Sequence, residues 1–99
     1  MKTQEFVSCL FEIEVSTHIA HLQTSSYAQH KALNGIYEGI VDLRDRYIES
    51  YQGKYGIIKG YKSFNITEGI DPISYLRRYA TAFSEFRTTV TDGYLKQIS

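Results

Sequence analysis

The sequence has little of what crosslinks a chain or anchors it in a membrane. It contains one cysteine, one proline and no tryptophan among 99 residues. A single cysteine excludes an intrachain disulfide and any zinc site made of several cysteines, so Cys9 is expected to be a small core residue. No run of about 18 apolar residues is present, so no membrane span is expected. The first residues do not resemble a secretory signal, and a cytoplasmic location is the expectation.

The chain also has no formal net charge. Eleven lysine and arginine residues balance eleven aspartate and glutamate residues, and there is no lysine-rich block or basic tail. Non-specific nucleic-acid binding depends on a basic surface, so this balance argues against a nucleic-acid partner.

The length suits a single domain covering residues 1–99. A domain this small buries a modest fraction of its surface, which favours oligomerisation as a further source of stability. The aromatic residues are nine tyrosines and five phenylalanines. Tyrosine suits half-buried positions and subunit interfaces. The same rings also suit the core of a small helical domain, and composition leaves both interpretations open.

Two long helices are predicted in the first half of the chain. Helical spacing of apolar residues predicts one from about Thr3, as N-cap, to Gln23, although the β-branched residues of segment 13–17 leave a strand as the alternative. Ser26 and Gln29 form a capping box that starts a second helix near Tyr27. We expect this helix to run to about Tyr51 and to stop before Gly53. Its apolar face comprises Leu33, Ile36, Tyr37, Ile40, Leu43, Tyr47 and Tyr51.

A third helix is predicted to begin at Asp71-Pro72, because aspartate at the N-cap and proline at the first helical position are a strong start signal. The glycine-rich segment 52–70 before it is expected to be a crossover loop, with or without a short helix. A fourth helix starts near Tyr94 and is cut off. The chain is therefore predicted to be an all-α bundle of three main helices with an incomplete or absent fourth, being either naturally short or truncated.

A stripe of polar side chains borders the apolar face of the second helix. At about 100° per residue, these side chains fall within roughly 100° of one another. They are His30, Asn34, Glu38, Asp45 and Glu49. Imidazole and carboxylate groups beside a helix interface are how helical bundles hold iron, manganese or zinc. The alternative is that the histidines simply favour helix ends and the carboxylates form a solvated face.

The intervals between these residues resemble the ferroxidase signature of the miniferritins, the DNA-protection-during-starvation branch of the ferritin-like superfamily. The pattern is His18-x11-His30-x14-Asp45-x3-Glu49, and the sequence of residues 27–33 is similar to that of the family's second helix. The resemblance implies a ferritin-like helical bundle with an iron site shared across a two-fold axis, and therefore a homo-oligomer, at least a dimer. The chemistry would be Fe(II) binding and oxidation. The segment also resembles uncharacterised phage-encoded proteins.

The sequence departs from the miniferritin pattern at two positions. Asn34 stands where a carboxylate ligand is usual, and Ile19 where a tryptophan follows the first histidine. The expected metal ligands are therefore His18, His30, Asn34, Asp45 and Glu49, with His21 and Glu38 as substitutes, and no residue is assigned a catalytic role. The alternative function is a non-catalytic helical oligomer that serves as an interaction or ligand-sequestering scaffold in a phage or bacterium.

Overall fold

The structure, a computed structural model, describes residues 1–98, and its regular secondary structure is entirely helical in that range. The four helices are α1 (Thr3–Gln23), α2 (Tyr27–Tyr55), α3 (Pro72–Thr89) and α4 (Gly93–Ile98). Residues 1–98 contain no strand, which confirms the predicted all-α class. None of these helices combines the length and apolar character needed to cross a membrane.

The strand considered for segment 13–17 is wrong, because this segment lies inside α1. Ile13 and Thr17 are buried, and the Thr17 hydroxyl donates to the Ile13 carbonyl oxygen at 2.7 Å. This bond satisfies the hydroxyl within the helix itself, so a β-branched residue is accommodated there. The N-cap is Lys2 rather than Thr3, and it provides no side-chain cap.

A three-residue link folds α1 and α2 into a helical hairpin. As predicted, Ser26 is the N-cap of α2, and its hydroxyl accepts a hydrogen bond from the Gln29 backbone N–H at 3.2 Å. The reciprocal half of the capping box is wrong, because the Gln29 side chain accepts from the Thr24 hydroxyl instead. The two helices then pack along each other, as a link this short requires.

Helix α2 is longer than predicted, since it passes Gly53 and ends at Tyr55. Gly56 is the residue that stops it, with a φ of 96° that side chains rarely adopt. Gly35 and Gly39 face open space, so neither mediates a close helix contact within the chain.

The core lies where α1, α2, α3 and α4 meet around Phe6. This side chain is fully buried, stacks on Phe86 at 4.3 Å between ring centroids, and meets Tyr47 and Phe83 edge-on. The buried members of the cluster are Phe6, Val7, Leu10, Tyr47, Ile58, Phe86 and Leu95. Cys9, expected in the core, is only partly buried.

The connection between α2 and α3 contains no helix from residue 56 to residue 71, so the short helix considered there is not formed. Ile58 is buried in the core and the Lys62 backbone N–H donates to the Ser8 hydroxyl at 2.8 Å, which ties the connection to α1. Helix α3 then begins at Pro72 with Asp71 as N-cap, as predicted.

Candidate functional site

Three histidines lie together at the turn between α1 and α2. His18 and His21 are in the last turns of α1, and His30 is in the first turn of α2. The ring centroids of His21 and His30 are 3.8 Å apart, and those of His18 and His21 are 5.8 Å apart. The short link Thr24–Ser26 produces this arrangement, because it turns the chain back after the helix that carries the first two histidines. We call these three residues the histidine cluster.

A hydrogen bond fixes the tautomer of His30. Its Nδ1 atom lies 2.9 Å from the main-chain oxygen of His21. A carbonyl oxygen can only accept, so Nδ1 carries the proton and donates. The lone pair of the neutral ring is therefore on Nε2. Metal-binding histidines commonly show this arrangement, in which one ring nitrogen donates a hydrogen bond and the other binds the metal.

His21 is buried, and its Nδ1 atom has no hydrogen-bond partner within residues 1–98. Desolvation lowers the pKa of His21, and the neighbouring rings of His30 and His18 lower it further, against a smaller opposing effect of Glu38. The ring is therefore biased toward its neutral form, which can donate a lone pair to a metal.

His18 is held on the open side of the cluster. Its ring stacks on Tyr37 with centroids 4.1 Å apart and an angle of 8° between the planes. Its Nδ1 atom lies 3.9 Å from a carboxylate oxygen of Glu14, and the Glu14 carboxylate also approaches Arg44 at 4.0 Å. The His18 side chain is 43% exposed, so it remains accessible to a ligand or to a second chain.

Asp45 and Glu49 are not brought to the histidines within one chain, and Asn34, one helical turn from His30, uses its side-chain oxygen in another hydrogen bond. The Asn34 side-chain oxygen accepts a hydrogen bond from the Tyr37 hydroxyl at 2.9 Å, and Asp45 pairs with Arg44 at 3.2 Å. The rise of the helix places Asp45 about 22 Å and Glu49 about 28 Å from His30 along α2.

No three histidine, cysteine, aspartate or glutamate side chains in the described part of the chain are grouped to hold a metal ion. The stacking of His21 on His30 explains this for the histidine cluster. Nitrogen lone pairs lie in the plane of an imidazole, so two rings 3.8 Å apart and tilted by 30° do not aim at one point between them. The described part of one chain therefore holds no complete metal site.

Two features of this region were not predicted. The first is the position of His21 between the other two histidines, for which its spacing of three residues from His18 is the available signal. The second is the Tyr37 ring on His18, which sequence placed on the apolar face without a role.

Fold and site thus define a class of all-helical protein with a histidine cluster at one end of a helical hairpin. The chain belongs to a family of unknown function (DUF5856), whose model matches residues 21–98. It is also similar to a protein of Enterobacteria phage T4, "Uncharacterized 14.6 kDa protein in mobD-ri intergenic region", with 38% identity over 55 residues.

This similarity covers 56% of the chain and 43% of the phage protein, so the match spans less than half of that relative's length. No solved structure matches the chain. The predicted similarity to phage-encoded proteins is confirmed by this relative, whereas the miniferritin resemblance stays a prediction.

Proposed function

We propose that this protein binds a divalent transition metal, with iron as the first candidate, at a site shared between two copies of the chain. The observation that carries the proposal is that His18 and His30 both lie beside His21 at the α1–α2 turn, where the bond from His30 to the His21 carbonyl leaves the lone pair of the His30 Nε2 atom available to a metal. Neutral imidazoles suit iron, manganese and zinc, and carboxylates add the negative charge that such ions require.

The carboxylates would come from the second copy. Asp45 and Glu49 are too far along α2 to reach the histidine cluster of their own chain, but both are exposed and available to another molecule. Asn34 lies one helical turn from His30, and its oxygen would have to release Tyr37 to serve as a ligand. The unpartnered Nδ1 of His21 gives a further donor beside the site.

Bound Fe(II) would supply an electron to dioxygen or peroxide. The residues of this chain favour binding over rapid turnover, because Asn34 contributes a neutral oxygen where a carboxylate would stabilise the oxidised ion. Ferroxidase activity is therefore the secondary property of the proposed site, and metal retention is the primary one.

The proposal is tested by metal content and by mass in solution. The chain is freed of metal with a chelator and dialysed against Fe(II), Mn(II) or Zn(II), and bound metal is then measured by elemental analysis. The molecular mass is measured by light scattering at micromolar concentration. We expect a dimer or larger assembly that retains metal, and losses of retention in His30→Ala and Asp45→Ala.

Asp42→Ala is the matched control, since Asp42 is an exposed carboxylate of the same helix that pairs with Arg46 and lies outside the proposed ligands. His18→Ala provides a second test on the histidine side that leaves the bond between His30 and His21 intact. Equal metal content in the parent and all variants, or a monomer at every concentration, would contradict the proposal.

A non-catalytic scaffold that sequesters a small ligand is the second candidate function. It is favoured by a cavity of about 460 Å³ at the opposite end of the molecule from the histidine cluster. Its lining includes the side chains of Tyr47, Tyr51, Tyr55, Phe86, Val90 and Leu95. A chain that binds no metal but co-purifies with a small aromatic or apolar molecule, detected by native mass spectrometry, would favour this candidate.

A further inference from the structure

A second cleft lies between α1 and α3, and none of the proposed metal ligands lines it. It has a volume of about 400 Å³. Glu12 of α1 lines one side, four residues of α3 line the other, and two residues of the connection close one end. These last six are Tyr75, Arg78, Tyr79, Ala82, Thr67 and Ile70. We call it the α1–α3 cleft.

Glu12 is the acceptor of the cleft. The Tyr79 hydroxyl donates to its Oε2 atom, and no hydrogen bond within residues 1–98 reaches its Oε1 atom. Desolvation raises the pKa of Glu12, against an opposing effect of Arg78, and this half-buried carboxyl has one oxygen outside the hydrogen bonds of the described residues. An ammonium, amide or hydroxyl donor on a ligand would complete its hydrogen bonds.

Tyr75 brings an unpaired hydroxyl to the same cleft. The side chain is 7% exposed, and its hydroxyl has no hydrogen-bond partner among the described residues. Burial raises the pKa of Tyr75, against a smaller opposing effect of the Ser16 hydroxyl on α1. A buried hydroxyl without a partner is unfavourable for folding, so a hydrogen bond from a ligand would stabilise it.

Arg78 supplies a positioned cation. Its guanidinium carbon lies 5.5 Å from the centroid of the Tyr75 ring and 5.8 Å from that of Tyr79. It takes part in none of the ion pairs shorter than 4.0 Å that residues 1–98 form. These cation–π contacts restrict the guanidinium while leaving its N–H donors open to a carboxylate.

We propose that the α1–α3 cleft binds a small zwitterion of the free amino acid class. The ligand's carboxylate would receive hydrogen bonds from Arg78, and its ammonium group would donate to Glu12 and to the Tyr75 hydroxyl. An apolar side chain would lie against Ile70 and Ala82. A cleft that presents a cation, an acceptor carboxyl and an apolar wall matches these three parts of one molecule. This inference is independent of the metal site.

The test is an NMR titration of the full chain with L-leucine as the probe. Two analogues test the contribution of each charged group, because isovalerate lacks the ammonium group and isoamylamine lacks the carboxylate. We expect saturable shifts of the backbone amide signals of Glu12, Tyr75 and Tyr79 with L-leucine. Both analogues should bind roughly tenfold more weakly or worse, as the loss of a charge-assisted hydrogen bond predicts.

Arg78→Gln and Tyr75→Phe should each weaken L-leucine binding, by roughly tenfold for the arginine variant. Arg77→Gln is the matched control, since Arg77 is an exposed neighbour that does not line the cleft. Arg78 is itself exposed, so its replacement leaves the buried core residues in place. Absence of saturable shifts, equal binding of L-leucine and isovalerate, or equal binding by the two arginine variants would each overturn the inference.

Discussion

His21 and His30 make two contacts with each other across the turn between α1 and α2. Their rings lie 3.8 Å apart, and Nδ1 of His30 donates to the main-chain oxygen of His21 at 2.9 Å. The second contact is independent of the side chain at position 21, because it uses that residue's backbone. It therefore sets the orientation of His30 through the path of the helix itself.

The first prediction concerns the protonation of His30 in the metal-free chain. Its neutral ring should carry the proton on Nδ1, because only a protonated nitrogen can donate to the His21 carbonyl. Long-range proton–nitrogen NMR spectra above about pH 8 distinguish the two tautomers. A spectrum with the proton on Nε2 would contradict the structure of the histidine cluster, and with it the free Nε2 donor on which metal binding depends.

The second prediction concerns Phe6, around which the core packs. Phe6→Ala removes a fully buried ring that contacts Tyr47, Phe83 and Phe86, so the free energy of unfolding should fall by about 3–5 kcal/mol. Urea denaturation followed by circular dichroism measures the loss. Ile73→Ala serves as control, since Ile73 is 61% exposed, and should change stability by no more than about 0.5 kcal/mol. Comparable losses in both variants would show that the core is elsewhere.

The third prediction concerns alkaline pH and Tyr47. Burial, assisted by Tyr51, Asp92 and Tyr55, raises the pKa of Tyr47 from its usual 10.0 to about 12. A raised pKa means that folding favours the neutral phenol. Its contribution to the free energy of unfolding is therefore intact below pH 10 and is lost as the pH rises through about 12.

Replacing the titrating group tests this. Tyr47→Phe should lose less stability than the parent chain between pH 10 and 12, as measured by chemical denaturation at a series of pH values. Tyr27→Phe is the control, because Tyr27 is 74% exposed and its replacement should leave the alkaline slope unchanged. If Tyr47→Phe keeps the slope of the parent, ionisation of the core phenol does not cause the loss.

The fourth prediction concerns the N-cap of α2. Ser26→Ala removes the hydroxyl that accepts from the Gln29 backbone N–H, so stability should fall by about 0.5–2 kcal/mol. Ser25→Ala is the matched control, because Ser25 is exposed and precedes the N-cap. Thermal unfolding of both variants measures the difference, and equal midpoints would exclude a stabilising cap at Ser26.

The starts of α2 and α3 could be predicted because helix starts are encoded locally. Ser26 accepts from a backbone N–H within one turn of itself, and Pro72 beside Asp71 has the fixed φ that suits a first helical residue, so no distant contact is needed to recognise either start. The end of α2 was predicted too early for the opposite reason. Gly53 is compatible with a helix, and the stop comes at Gly56, whose positive φ turns the chain so that Ile58 enters the core.

For the histidine cluster too, the sequence predicts the local features and the tertiary structure decides the rest. The helical pattern alone placed His18 near the end of one helix and His30 near the start of the next. It could not show that His21 lies between them without a partner for Nδ1, because burial depends on how α1 is rotated against α2. Nor could it show that Asn34 is engaged by Tyr37.

By itself, then, the sequence determined the helical class, the starts of two helices and the positions of the histidines on those helices, since each depends on residues near one another in the chain. Only the tertiary structure decided that one chain holds the imidazoles together and keeps Asp45 and Glu49 far from them. Tertiary structure alone also formed the α1–α3 cleft, which joins Glu12 to Tyr75 and Tyr79 across more than sixty residues. Contacts between distant segments depend on helix rotation and on the course of the connection, and no local pattern encodes either.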